Sequence, residues 1–291
     1  MAATAARKTE APQREVPHIR LSDGNSIPQL GMGVWEVDPE ITARVVRDGI
    51  EAGYRLIDTA EGYHNEEGVG EAIRSGGVPR EDLFITSKLR NGAHDRDAAL
   101  KAFDDTMSAL GIEQLDMFLI HWPVPEQDKY VEAWKTLVEL QQQGRVKSIG
   151  VSNFNPDHLD RIIKETGVTP VVDQVEHHPY FQLPERLAGI RQRGPHIECY
   201  SPLGHGEILE DETIVRIGKA HGKSAAQAIL RWHLQMGHIV IPRSIHAERL
   251  KENFDVFDFE LSDAEMQALN GLDKGEAGRT GANPDTANFT F

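Results

Sequence analysis

The sequence predicts an α/β fold of the (β/α)8 TIM barrel class, and three observations predict it. Short apolar runs alternate with amphipathic stretches along the chain, the pattern of strands each followed by a helix. Eight such runs fall within 291 residues, a size that α/β barrels commonly reach as one domain. Several runs end in or just before a polar residue, and a parallel barrel gathers the carboxyl ends of its strands on one face.

Each element has its own reason. Residues 1–17 carry Arg and Lys without an apolar signal core and read as a disordered tail, leaving 18–291 as a single barrel domain. His18 to Ile27, with Asp23-Gly24 between its arms, reads as a hairpin covering the bottom of the barrel. Strands are expected near 29–34, 55–59, 83–88, 115–120, 146–151, 171–175, 196–200 and 238–242. Asp38-Pro39 and Asn155-Pro156 each put a capping side chain before a proline at the first helical position, and Gly53 and Gly167 stop those helices. Ser262 to Glu265 has the capping-box spacing of a late helix. From Lys274 to Phe291 the chain is rich in Gly, Asn and Thr and is expected to lie as a loop.

Composition excludes several classes. A net charge of -15 argues against nucleic-acid binding, which needs Lys and Arg clustered against phosphates. No apolar run approaches the ~20 residues that span a bilayer, so no membrane association is expected and the protein reads as cytoplasmic. The single cysteine, Cys199, excludes an internal disulfide and, lying in a strand-like run, is expected to be buried and inert. His177-His178-Pro179 could suggest a metal, but adjacent imidazoles after a strand diverge and no partner has ligand spacing, so no metal is expected.

The candidate catalytic residues are Asp58, Tyr63, Lys88 and His121, each at or just past the end of a strand-like run. Together they offer a phenol, an ammonium beside it, a carboxylate to hold the ammonium, and an imidazole. A phenol with a pKa of about 10 is a poor acid at neutral pH, and a nearby cation pulls that value down. The set can give a proton to a carbonyl oxygen. None of the four can carry hydride, so reduction requires a nicotinamide.

The words around these residues resemble an aldo-keto reductase. They are Leu30-Gly-Met-Gly-Val-Trp35, Asp58-Thr-Ala-Glu-Gly-Tyr63, Asn65-Glu-Glu-Gly-Val-Gly70, His121-Trp-Pro123, Ser148-Ile-Gly-Val-Ser-Asn153, Tyr200-Ser-Pro-Leu203 and Ile241-Pro-Arg-Ser244. They run in order from about Ile19 to Phe259. Asn25-Ser-Ile-Pro-Gln-Leu-Gly31 and Val256-Phe-Asp-Phe-Glu-Leu261 are most similar to the bacterial 2,5-diketo-D-gluconate reductase branch. The resemblance implies NADPH-dependent reduction of aldehydes, ketones or keto-sugars by a monomer, with Tyr63 as the acid and a carboxyl-terminal tail lining the substrate pocket.

The usual dinucleotide fingerprint is missing. Gly68-Val-Gly70 lacks the third glycine and follows Glu66-Glu67, whose charges at a helix start would repel a pyrophosphate. Arg243, Ser244, Arg249 and Lys251 instead form a basic island after the eighth strand, where barrels commonly bind phosphate. The resemblance places Ser152, Asn153 and Gln174 on the nicotinamide carboxamide and Tyr200 against its ring. It places Ser201, Leu203 and Gly204 along the pyrophosphate, with Arg243, Ser244, Ile245 and Arg249 on the 2′-phosphate and Glu252 and Asn253 on the adenine side.

Three positions depart from the family pattern. Arg243 replaces the usual Lys, Asp173 replaces Asn beside Gln174 and would add charge near the rim, and Arg90 stands where an aromatic is common. Trp35 and Trp122 are expected to wall the substrate pocket, and Arg90 would face an anionic substrate. Two rival readings remain: a polyol or alcohol dehydrogenase working in the oxidative direction, and a non-catalytic barrel subunit.

Overall fold

The computed structural model describes residues 15–290, so most of the expected tail over 1–17 lies outside the described residues. The chain opens with an antiparallel hairpin, β1 (His18–Arg20) and β2 (Ser26–Pro28), in which Ile19 faces Ile27. Gly24 at the turn adopts φ 92°, a left-handed conformation that glycine takes at no steric cost. The hairpin seats Leu21 and Ile27 against Leu56, Phe84, Met117 and Val172 from the lower barrel interior. It is pinned there by Asn25, whose side-chain amide donates to the Ser148 hydroxyl at 3.0 Å.

Eight strands follow: β3 (Gly31–Gly33), β4 (Leu56–Asp58), β5 (Phe84–Leu89), β6 (Leu115–Ile120), β7 (Val146–Ser152), β8 (Val172–Glu176), β9 (His196–Tyr200) and β10 (Ile239–Val240). All their pairings are parallel, in sequence order from β3 to β10. The ring closes at a slender seam between β10 and the start of β3. One parallel bridge joins Leu30 to Val240, and the Val240 amide donates to the Gln29 carbonyl at 3.0 Å.

The helices are α1 (Pro39–Ala52), α2 (Glu66–Ser75), α3 (Arg96–Leu110), α4 (Tyr130–Gln142), α5 (Pro156–Thr166), α6 (Pro184–Gln192), α7 (Glu212–Ala220), α8 (Ala225–Gln235), α9 (Ala247–Phe254) and α10 (Asp263–Asn270). The expected ends are present. The Asp38 side chain accepts from the Glu40 amide, and Gly53 and Gly167 close α1 and α5 in left-handed conformations. Ser262 and Glu265 form the capping box of α10. The glycine pair that imitates a nucleotide loop lies inside α2, where Gly70 has a packing role. A Cβ there would stand 2.4 Å from the Leu110 carbonyl oxygen, so its absence lets α2 press against the end of α3.

The largest apolar cluster joins barrel and helix layers, with Val45 and Val46 of α1, Phe118 of β6 and Leu137 of α4 all fully buried. The hairpin plugs the opposite end of the barrel from the site described below. Ile27→Ala should therefore destabilise the protein by about 2–5 kcal/mol through the cavity it leaves. Urea unfolding would show this as a lower midpoint with an unchanged slope.

Candidate active site

The four candidate catalytic residues meet at the carboxyl-terminal mouth of the barrel. Asp58 ends β4, Lys88 lies in β5, Tyr63 sits in the loop after β4, and His121 follows β6. Lys88 is fully buried, and its ammonium has three oxygen partners. It donates to Asp58 Oδ1 at 2.6 Å, to the Thr59 carbonyl at 2.9 Å and to the Tyr63 hydroxyl at 3.3 Å. Across the barrel, Gln174 Nε2 donates to the other Asp58 oxygen at 2.8 Å. The Tyr63 and His121 rings meet edge-on with centroids 5.6 Å apart.

The electrostatics follow from burial and one cation. Burial pushes the Lys88 ammonium toward neutrality, but Asp58 and Tyr63 outweigh it and hold the pKa above the ordinary lysine value. Burial pushes Asp58 up, opposed by the Lys88 charge and by hydrogen bonds from Lys88 and Gln174. With a charged ammonium at 2.6 Å, Asp58 carries the compensating negative charge. Glu198, also fully buried, is pushed up to about 8 by burial and by Asp58, so it is protonated at neutral pH. The pull of Lys88 on Tyr63 is present as the sequence suggested, yet burial outweighs it and the phenol ends above its ordinary value. His121 is held well below its ordinary value by burial and by Lys88, so its imidazole is neutral.

These groups open onto a cavity of about 920 Å³. Asp58, Tyr63 and His121 reach it at one end, with Trp35 and Trp122 on its walls. Ser152, Asn153, Gln174 and Tyr200 line the middle, followed by Ser201 and Leu203. Arg243, Ser244, Ile245, Arg249, Glu252 and Asn253 line the far end, beside the start of α9. Three non-glycine lining residues have left-handed backbones, Asn153 at φ 62°, Ser201 at φ 46° and His205 at φ 55°. Such conformations cost free energy and persist where the surroundings hold them. Asn153 is held by its side chain, which donates to the His121 carbonyl and accepts from the Tyr200 hydroxyl at 2.8 Å.

Several expectations are corrected by the structure. Arg90 does not line the cavity: its Nε donates to Glu61 at 3.0 Å, and a neighbouring carboxylate is the simpler partner for it. Gly204, at φ 52°, shapes the loop after β9, and neither it nor Lys251 is among the cavity's lining residues. Asp173 alternates with the inward-facing Gln174 on β8 and adds no charge at the rim. It is fully buried, accepts from the Phe154 amide at 3.3 Å, and is pushed up to about 8 by burial. Gln174 lines the cavity as expected of a residue beside a carboxamide, and its amide nitrogen also donates to Asp58.

Other contributors lie too far away in sequence to be read from spacing. The carboxyl-terminal tail lines the cavity through Thr280, Gly281, Ala282 and Phe289. Glu176, at the end of β8, clasps that tail. It accepts from the Thr280 amide at 2.7 Å, the Thr280 hydroxyl at 2.6 Å and the Gly281 amide at 2.9 Å. Farther along, the Phe289 ring meets Trp122 edge-on at 5.3 Å. Over the other side of the cleft, Trp35 and His205 approach edge-on at 5.8 Å.

A phenol beside a buried ammonium–carboxylate pair, at the carboxyl-terminal mouth of a parallel barrel and opening on a long cleft with two arginines in its lining, is a site of the kind that barrel enzymes carry. Residues 28–274 match the aldo/keto reductase family, and the chain belongs to that family. It is 49% identical to an aldo-keto reductase of Mycolicibacterium smegmatis, over 94% of this chain and 99% of the relative. It is 45% identical to the methylglyoxal reductase DkgA of Escherichia coli, over 92% of this chain and 96% of the relative. The crystal structure of a Gox0644 mutant in complex with NADPH superposes with a TM-score of 0.91, at 46% identity, covering 95% of this chain and all of that one. The protein is an NADP-dependent oxidoreductase that reduces carbonyl compounds.

The clasp yields a test. Burial pushes Glu176 up, but hydrogen bonds from His178, Thr280 and Gly281 prevail and hold it down at about 2. A depressed carboxylate contributes stability above its ordinary pKa and loses it only as pH falls through about 2, so mild acid leaves the clasp closed. Glu176→Gln should speed hydrogen exchange at the Thr280 and Gly281 amides by roughly tenfold to a hundredfold. Unchanged exchange would show that the tail is held by its other contacts.

Proposed function

We propose that Tyr63 gives the proton to the carbonyl oxygen and that His121, neutral and beside it, orients that oxygen. The observation that carries this reading is the set of partners around Lys88. Of the three oxygens it contacts, the Tyr63 hydroxyl alone can donate a proton, and it faces the cavity. Asp58 keeps Lys88 charged, and Lys88 lowers the cost of forming phenolate at the moment of transfer. A ground-state phenol held above 10.0 stays protonated through neutral pH, as a proton donor must.

The cleft fits an extended dinucleotide. Arg243 and Arg249 are exposed cations in a chain of net charge -15, and Ser244 lies between them in sequence. The start of α9 adds unpaired backbone N–H groups. We assign the 2′-phosphate to Arg243, Ser244, Ile245 and Arg249, and the adenine side to Glu252 and Asn253. The pyrophosphate falls to Ser201 and Leu203, on the loop that Gly204 shapes. Tyr200 offers its face to the nicotinamide, and Ser152, Asn153 and Gln174 shape the wall beside it. When bound, the nicotinamide supplies the hydride. Trp35, Trp122 and the tail then enclose what remains of the cavity as the substrate space.

The substrate class is small carbonyl compounds, including dicarbonyls such as methylglyoxal, which the name of the E. coli relative brings into consideration, and keto-sugars. Loss of NADPH absorbance with a panel of these tests it directly. No consumption with any carbonyl would overturn the reading in favour of a non-catalytic barrel.

Tyr63→Phe should leave NADPH binding nearly intact and lower turnover by about 10²–10⁴. A variant that keeps more than half the wild-type kcat would remove Tyr63 from the role. Arg249→Ala should raise KM for NADPH by roughly tenfold to a hundredfold, as a charge-assisted hydrogen bond contributes about 1.5–3 kcal/mol. KM for NADH should stay almost unchanged; equal shifts for both cofactors would disprove the phosphate assignment.

A further inference from the structure

By spacing alone His177 has no ligand partner, but folding supplies three. His177 follows β8, Cys199 lies in β9, His233 in α8, and His238 precedes β10. One ligand atom from each lies within 4.8 Å of all the others, and all four residues are buried. Glu198 acts on Asp58 and Tyr200 faces the cavity, so strand alternation turns Cys199 the other way, toward α8. The cluster therefore sits between barrel wall and helix layer, outside the catalytic cavity. We propose that His177, Cys199, His233 and His238 form a structural zinc site.

The donor set suits that ion. Three imidazoles and one thiolate make a four-coordinate set of three nitrogens and one sulfur, with Zn–N of about 2.0–2.1 Å and Zn–S of about 2.3 Å. Those bonds put tetrahedral ligand atoms roughly 3.3–3.6 Å apart. His233 Nδ1 and His238 Nδ1 already stand 3.3 Å apart, in a hydrogen bond that the ion would replace, and a pair at the 4.8 Å limit needs to close by about 1.2–1.5 Å, within the reach of side-chain rotation.

A purely apolar packing role leaves too much unexplained. His177 stacks on Trp232 at 5.2 Å, yet neither of its ring nitrogens has a hydrogen-bond partner. His238 Nε2 is in the same position. Buried polar atoms without partners are costly and rare, and a cation takes up such lone pairs. His233 Nε2 has no hydrogen-bond partner either.

Protonation agrees with this role. Burial holds His177 and His233 well below the ordinary histidine value and His238 at about 3, so all three are neutral and able to ligate. Burial keeps Cys199 a thiol, against the pull of Arg191. Binding exchanges the S–H bond for an S–Zn bond and releases one proton, so affinity rises with pH. Arg191 and His178 also face the cluster, and neither competes as a ligand of the set.

The sole cysteine makes the test specific. Purified protein given zinc chloride and passed through gel filtration should retain close to one zinc per chain. Its thermal midpoint should rise by roughly 5 °C with zinc at a hundred times its dissociation constant. Cobalt chloride should give a tetrahedral visible spectrum with a thiolate-to-cobalt charge-transfer band, which in this chain can come only from Cys199. Cys199→Ser should abolish that band, and His238→Asn should weaken retention. Should either variant misfold, the wild-type zinc and cobalt measurements decide alone. No retained zinc with an unmoved midpoint, or cobalt bound without the thiolate band, would overturn the proposal.

Discussion

A fully buried ammonium organises this molecule. Lys88 cannot leave its partners without stranding a charge away from water, and breaking such a pair costs about 3–5 kcal/mol. Its demands propagate outward. Asp58 must be ionised beside it, and Gln174 reaches across the barrel to hold the second Asp58 oxygen. Glu198 must then be protonated, because one cation cannot balance two carboxylates in so dry a space. Tyr63 is fixed at the edge of this arrangement and His121 is kept neutral partly by the same charge. The barrel interior is thus a polar network whose exposed outlet is a phenol.

Much of this was legible because it is local or set by topology. Strand ends in a parallel barrel converge by construction, so Asp58, Lys88 and His121 could be placed together from three separate apolar runs. The caps at Asp38, Gly53 and Ser262 depend on neighbours within a few residues, and the chain shows them directly. What stayed hidden depends on pairs far apart in sequence. Gln174 and Asp58 are separated by 116 positions, and Glu176 and Thr280 by 104. Arg90 had the chemistry to meet an anionic substrate, but the chain carries Glu61 to a position 3.0 Å away. Asp173 had the chemistry of a rim charge, but strand alternation turned it outward and burial neutralised it. Side-chain type was readable; side-chain company was not.

The tail and the loops divide the cavity's walls between two degrees of order. Asn153, Gln174 and Tyr200 are locked to one another and to the strands that bear them. The tail is held at Thr280 and Gly281 by Glu176, at Ala287 by packing against Trp122 and Val124, and at Phe289 by an edge-on contact with Trp122 and a hydrogen bond from Asn91 to its carbonyl. The tail is thus the part of the wall that can be remodelled without disturbing the hydrogen-bonded floor.

The seam where the barrel closes has a different consequence. β10 is two residues long and meets the start of β3 through one bridge, with the Gly33 amide donating to the Pro242 carbonyl just beyond it at 3.1 Å. Every other neighbouring pair of strands shares at least two register pairs, so this line carries the fewest strand pairings of the cylinder. Arg243 lies immediately past it and reaches over to the Glu36 carbonyl at 3.0 Å on the far side. A molecule lying in the cleft touches both lips, Gly33 and Trp35 on one and Ile241 and Arg243 on the other. An occupant of the cleft would thus act as a suture, bridging the least-paired line of the cylinder without adding a single strand pairing.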